Sequence, residues 1–359
     1  MDAAWSSVAS RLEGTFLDRQ IHRTNRNLLI TSLILVITVI GYGAIRYRYF
    51  YNFFKGPFEV NAQWLDGVSS PGAPLRYFVR IHGESSEDTG VREVEHDAGS
   101  SIESGTTTAR FSVLFMGKRQ GKRLLIVKRD ASEGGAVFQG ELEDLPSDVR
   151  DHVITPLLKD YPSAGQFFYP VMLETSGFRI EGFIAIPFCL AALVLAAWLI
   201  RREKSLRAVL SNHPVIKSAS RYGAVDEVAR QLDMELQGGT VRLGRATVTQ
   251  SWVLIPTTYG FSMCHIPDLI WAYKKVTRHY HNFIPTNRTF DVIMYDRYGV
   301  PLQMQTRQKH VDAMLNLLSQ RSPWAVFGYS KELNNVFTTN WGGFVATVQG
   351  RRAKTAPAG

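Results

Sequence analysis

The sequence predicts a two-pass α-helical membrane protein, with a mostly β domain between its spans and an α+β domain after the second. Three observations predict this. Leu28–Ile45 and Gly182–Ile200 are long stretches without a charged side chain. The residues between them fall into short β-prone runs broken by turns. Beyond the second stretch a helical pattern is followed by more such runs and then by another helix.

Residues 1–27 are polar and carry Arg11, Arg19, Arg23 and Arg26. Trp5, Val8, Leu12 and Phe16 recur at three- and four-residue spacings. That pattern predicts a small amphipathic helix lying on the membrane surface, or else a solvated cytoplasmic segment. The first span covers residues 28–46, dominated by Ile, Leu and Val, and is followed by Tyr47, Tyr49, Phe50, Tyr51, Phe53 and Phe54. Rings in that position suit the headgroup region, and no small-residue cleavage site follows, so the stretch is expected to be a span and not a removed signal. The second span, residues 182–200, runs straight into Arg201, Arg202 and Lys204. Nineteen helical residues rise about 28 Å, close to a bilayer's hydrocarbon thickness. Pro187 lies in the first turns of that span, where a missing N–H costs least.

Charge divides along the same boundaries. Residues 47–181 hold 15 Lys and Arg against 19 Asp and Glu, a net of −4, whereas residues 201–359 hold 21 against 10, a net of +11. Arginines before the first span and after the second put both termini in the cytoplasm and residues 47–181 outside, in a bacterial inner membrane. Two cysteines, Cys189 and Cys264, supply neither a disulfide framework nor a thiolate metal cluster.

In the extracytoplasmic domain, residues 58–65, 75–81, 109–116, 123–129, 137–142 and 167–174 are expected as strands, and a helix is expected from Pro146–Ser147 towards Leu158. This order suits an OB-like barrel. The stretch between His82 and Thr108, rich in Gly, Ser, Thr and acids, is expected as a loop. Lys118, Arg119, Lys122 and Arg123 form a basic hairpin tip. His82, His96 and His152 are scattered, with no metal-binding spacing and no nucleophile elbow, so the domain is not expected to be an enzyme.

The basic domain, residues 201–350, opens with a juxtamembrane helix and a second helix ending at Gly238–Gly239. Strands are expected at 240–244, 246–257, 260–266, 269–278, 289–296 and 301–307, then helices at 308–320 and 330–337. A last strand is expected at 344–348, and a disordered tail at 351–359. Val248, Trp252, Ile255, Phe261, Ile266–Pro267, Ile270, Tyr273 and Lys275, with the helix that follows, resemble bacterial membrane-tethered PH-like domains over about residues 240–320. The whole chain is similar to uncharacterised bacterial two-pass membrane proteins. The resemblance implies a sheet sandwich closed by a C-terminal helix and used for lipid or protein contact.

Lys274, Lys275, Arg278, His279 and His281, with Arg288, form the strongest candidate site, for an anionic lipid or an acidic partner. Gly41 and Gly43, with Ala185, Ala192 and Ala196, are candidates for close helix–helix packing. No cofactor motif is present and no cofactor or metal is expected. Membrane lipids and other membrane proteins, or a second copy of the chain, are the expected partners, and nucleic acid is not. The expected function is a non-catalytic membrane-anchored binding or scaffold protein. Two alternatives stay open: an accessory subunit of a channel, transporter or secretion system, and a membrane-bound enzyme. The stretches Leu28–Ile45 and Gly182–Ile200 carry no Asp, Glu, Lys or Arg, so they are not expected to form an ion path by themselves.

Overall fold

The computed structural model describes residues 10–95, 106–117, 123–130, 134–281 and 284–355. The chain divides into two compact units, residues 35–194 and residues 1–34 together with 195–359. The architecture is mixed α/β, with three β-sheets. The first long helix, α1 (Phe16–Ile45), begins well before the apolar stretch at Leu28.

In the unit of residues 35–194, α2 (Tyr47–Lys55) leads to β1 (Phe58–Val60), α3 (Ala62–Asp66), β2 (Phe78–His82), β3 (Ser85–Glu95), β4 (Thr106–Phe115), β5 (Leu124–Arg129) and β6 (Val137–Asp144). Residues 147–160 then wind through a π-type turn at Arg150–Ile154 into α4 (Thr155–Asp160). After β7 (Phe168–Glu174) comes the second long helix, α5 (Phe178–Ala208). Helices α1 and α5 are both long and apolar enough to cross a membrane.

The seven strands form one sheet in the order β1-β2-β6-β7-β5-β4-β3. Among the described residues no pairing joins β1 to β3, so the expected OB-like barrel is replaced by an open sheet. The run at 58–65 is not one strand, because Asn61 Oδ1 accepts from Trp64 N–H at 3.0 Å and caps α3. The described part of the expected loop after His82 is mostly strand, while residues 96–105 lie outside the described residues. Its polar residues suit an edge, where Asp88 pairs with Arg129 at 3.2 Å and Glu93 with Lys128 at 2.9 Å. His96, Lys118, Arg119 and Lys122 lie outside the described residues. Leu65, Val79, Ile81, Leu114, Leu125, Val127 and Leu173 fill the core on one sheet face. Phe111, Ile126 and Met172 on the other meet Val149 and Ile154.

In the second unit, α6 (Pro214–Ala219) and α7 (Val225–Gln237) precede a seven-strand meander. It comprises β8 (Val241–Leu243), β9 (Ala246–Val248), β10 (Trp252–Thr257), β11 (Gly260–His265), β12 (Leu269–His281), β13 (Ile284–Asp296) and β14 (Pro301–Thr306). Then follow α8 (Gln308–Arg321), β15 (Val326–Phe327), α9 (Lys331–Thr339) and α10 (Trp341–Thr355). Two four-stranded sheets result, β11-β10-β9-β8 and β14-β13-β12-β15. Val253, Ile255 and Cys264 of the first share a core with Ala272, Val292 and Met294 of the second and with Val311, Met314 and Leu318 of α8.

Strand β10 is buried on both faces, as its uninterrupted Trp252–Ile255 run requires. Its outward residues Trp252 and Leu254 lie in a second buried cluster with Val228 and Leu232 of α7 and with Leu12, Leu17 and Ile21. Leu12, Phe16, Leu17 and Ile21 therefore pack into this unit, where a surface-lying helix or a solvated segment was expected, while Trp5 and Val8 lie outside the described residues. Phe16 and Phe261 rings meet edge-on at 5.6 Å, and Arg11 pairs with Asp226 at 3.2 Å. The back of the other sheet is covered likewise: Ile270, Trp271 and Ile293 pack against Phe344 and Val348. Residues 344–348 are thus helical, not a strand, because Phe344 and Val348 need the four-residue spacing to face that sheet together. The same helix continues through residues 351–355, where a disordered tail was expected, while residues 356–359 lie outside the described residues.

Candidate anion-binding arm

Strands β12 and β13 are each 13 residues long and pair from Leu269↔Asp296 to His281↔Ile284. Their outer neighbours are shorter. Strand β14 pairs with β13 only from Phe290 to Tyr295, and β15 meets β12 only at Trp271 and Ala272. Beyond Val276 and Phe290 the pair therefore continues as a two-stranded arm, with no third strand among the described residues.

Side chains alternate along the arm, so register decides which of them meet. Ala272, Lys274, Val276 and Arg278 share a face with Met294, Val292, Phe290 and Arg288. This face grades from core to solvent. Ala272, Val292 and Met294 are buried, Val276 is 45% exposed, and Arg278 and Arg288 are exposed directly opposite one another. Lys274 is taken up internally: its Nζ lies 2.8 Å from Asp312 Oδ1 and 5.6 Å from the centre of the Phe290 ring.

The opposite face carries Tyr273, Lys275, Thr277 and His279. Lys275 stands across from Asp291, whose buried carboxylate accepts from Gln303 Nε2 at 3.0 Å. His279 Nε2 lies 3.2 Å from Thr289 Oγ1. The six residues singled out by sequence thus do not form one cluster. The arm brings Arg278 and Arg288 together, ties Lys274 to α8, and turns Lys275 and His279 away. His281 ends β12, and its side chain lies outside the described residues. Among the described residues no carboxylate forms an ion pair with Arg278 or Arg288, and no three His, Cys, Asp or Glu side chains are grouped to hold a metal ion.

The helix-packing residues are also divided. Ala185 and Ala192 line an apolar groove of about 470 Å³ with Thr38, Val39, Tyr42, Phe188 and Cys189. Glu181 stands at its edge, paired with Arg46. A Cβ on Gly41 or Gly43 would meet open space, so neither glycine is a close-approach point within the chain. Gly182 is one, since a Cβ there would lie 2.3 Å from the Phe53 ring. Ala196 is buried in the other unit.

Two polar networks had no motif by which to find them. Asp268, only 7% exposed, accepts from His265 Nδ1 at 2.8 Å and lies 3.4 Å from Arg297 Nε and 3.6 Å from Arg352 Nη1. Burial pushes its carboxyl up, but the His265 hydrogen bond and the two guanidiniums outweigh burial and hold it below the usual carboxylate range. In the other unit Glu141 stands across from Glu174, with Glu143 beside them and Lys128 Nζ 3.1 Å from Glu174 Oε1. Burial, then the hydrogen bond and charge of Glu174, push Glu143 up to about 7.

A family described as a domain of unknown function (DUF6709) matches residues 229–337, from within α7 to within α9. The match takes in the two sheets, the arm and α8, and stops short of both long helices. No curated protein and no solved structure matches the chain.

Proposed function

We propose that the chain is a non-catalytic, membrane-anchored binding protein of the bacterial cytoplasmic membrane. In this reading α1 and α5 cross the bilayer, residues 47–181 form an extracytoplasmic domain, and the C-terminal unit is a basic, PH-like contact module on the cytoplasmic side. The PH-like reading is supported by the seven-strand meander in two sheets, followed by α8, whose Val311, Met314 and Leu318 complete the core. The net +11 of residues 201–359 supports the cytoplasmic side.

One observation carries the proposal. The lower part of α1 belongs at once to an apolar helix and to the core of the module. Leu17 and Ile21 are buried with Trp252 and Phe261, and Asn27 Nδ2 donates to Thr258 O at 2.8 Å, one residue before the apolar stretch. A module mounted this way rides on the membrane surface, where a binding role needs it. Native mass measurement of the full chain in mild detergent, followed by identification of co-purifying proteins, tests the reading. A reproducible complex or oligomer is expected. A bare monomer that catalyses turnover of a small substrate overturns it.

A further inference from the structure

We propose that the tip of the β12–β13 arm binds the phosphate of an anionic phospholipid headgroup between Arg278 and Arg288. This rests on the reading of the chain as a membrane protein with its basic module beside the bilayer.

The arm carries a cost that a ligand removes. Like charges directly opposite one another weaken a strand pair, and a two-stranded ribbon is marginal by itself. Arg278 and Arg288 are such a pair, at the part of the ribbon where no third strand supports it. Two planar guanidinium forks side by side match the tetrahedral oxygens of one phosphate group.

The surroundings select the kind of phosphate. A nucleic acid needs a row of cations, but Lys274 is engaged by Asp312, and Lys275 and His279 lie on the other face. The footprint is one phosphate wide. Val276 shares the face with the arginines and is 45% exposed, an apolar contact suited to the boundary beneath a headgroup and unfavourable in water. The module is also held at the start of the apolar stretch. Its β10–β11 turn is bonded to α1 at Asn27 and Thr31, and the arm extends about 13 Å from Thr277 to His281.

The full chain is tested in nanodiscs, with an environment-sensitive fluorophore on Asn287→Cys in a Cys189→Ala background. Asn287 pairs with His279 on the face away from the arginines, and Cys264 is buried. Added dioctanoyl phosphatidylglycerol is expected to blue-shift the label, whereas dioctanoyl phosphatidylcholine and inorganic phosphate do not. Arg278→Gln with Arg288→Gln is expected to weaken the response on the order of 30-fold, the effect of two surface cations. A response that survives the double substitution, or is equal for both lipids, overturns the proposal. So does a response to inorganic phosphate alone, which makes free phosphate the ligand. Insertion into the discs is scored separately by co-elution, so a chain that inserts without responding refutes the lipid site, and one that fails to insert refutes the membrane reading on which it rests.

Discussion

Tyr259 Oη lies 3.1 Å from Thr31 Oγ1, joining the tip of the β10–β11 turn to α1 at the start of its apolar stretch. With the Asn27–Thr258 bond beside it, this contact fixes the small sheet to one level of the helix. The module's stability is therefore tied to residues distant from it in sequence.

Leu12, Leu17 and Ile21 are buried in that attachment. Leu17→Ala is expected to destabilise the C-terminal unit by about 2–5 kcal/mol, the usual range for truncating a fully buried leucine. Limited proteolysis within residues 210–355 should accelerate, while the sheet of residues 58–174 keeps its resistance. Unchanged cleavage would mean the segment does not pack there.

Asp268 concentrates three positively charged or hydrogen-bonding partners on one buried carboxylate. Asp268→Asn should cost about 1 kcal/mol, because the ion pairs with Arg297 and Arg352 are lost while both guanidiniums keep access to water. As Arg352 lies in α10, cleavage within residues 341–355 should be the earliest sign.

The two units are expected to respond to pH in opposite directions. Glu143 is raised to about 7 in the folded protein, so between its unfolded value and 7 the folded state binds the extra proton. Its contribution is fully present below the unfolded pKa and is lost as pH rises towards 7. Asp268 is depressed, so its contribution is present above its unfolded pKa and is lost as pH falls through the folded value. Thermal melts across pH 3–8, with Glu143→Gln and Asp268→Asn, check both slopes. Glu143→Gln should flatten the decline of the 58–174 sheet without altering the acid limb of the other unit.

Gly140 gives a steric prediction. A Cβ there would lie 2.0 Å from Glu174 O, in the backbone of the neighbouring strand. Gly140→Ala is expected to cost about 1–3 kcal/mol by pushing β6 and β7 apart. Gly43→Ala, where a Cβ meets open space, should leave melting unchanged or slightly raised.

Sequence pattern revealed whatever repeats at a fixed period within one element. The two charge-free stretches, the β10 run Trp252–Ile255 and the apolar face of α8 are of this kind. It missed features whose partners are distant in sequence. Leu12 and Phe16 look like one face of an amphipathic helix, and nothing local says whether lipid, water or the module's own core covers it. Strand β3 is polar because it is an edge, so composition resembles that of a loop. For the arm, composition found the cations, but only the register Arg278↔Arg288 separates the two that meet from Lys274, Lys275 and His279.

The burial of Leu12, Leu17 and Ile21 against β10 and β11 also sets an order of events during synthesis. These residues leave the ribosome long before Trp252 and Phe261 exist, and a contact of such sequence separation forms late. Until then the apolar side chains of Leu12, Leu17 and Ile21 have no protein partner to cover them.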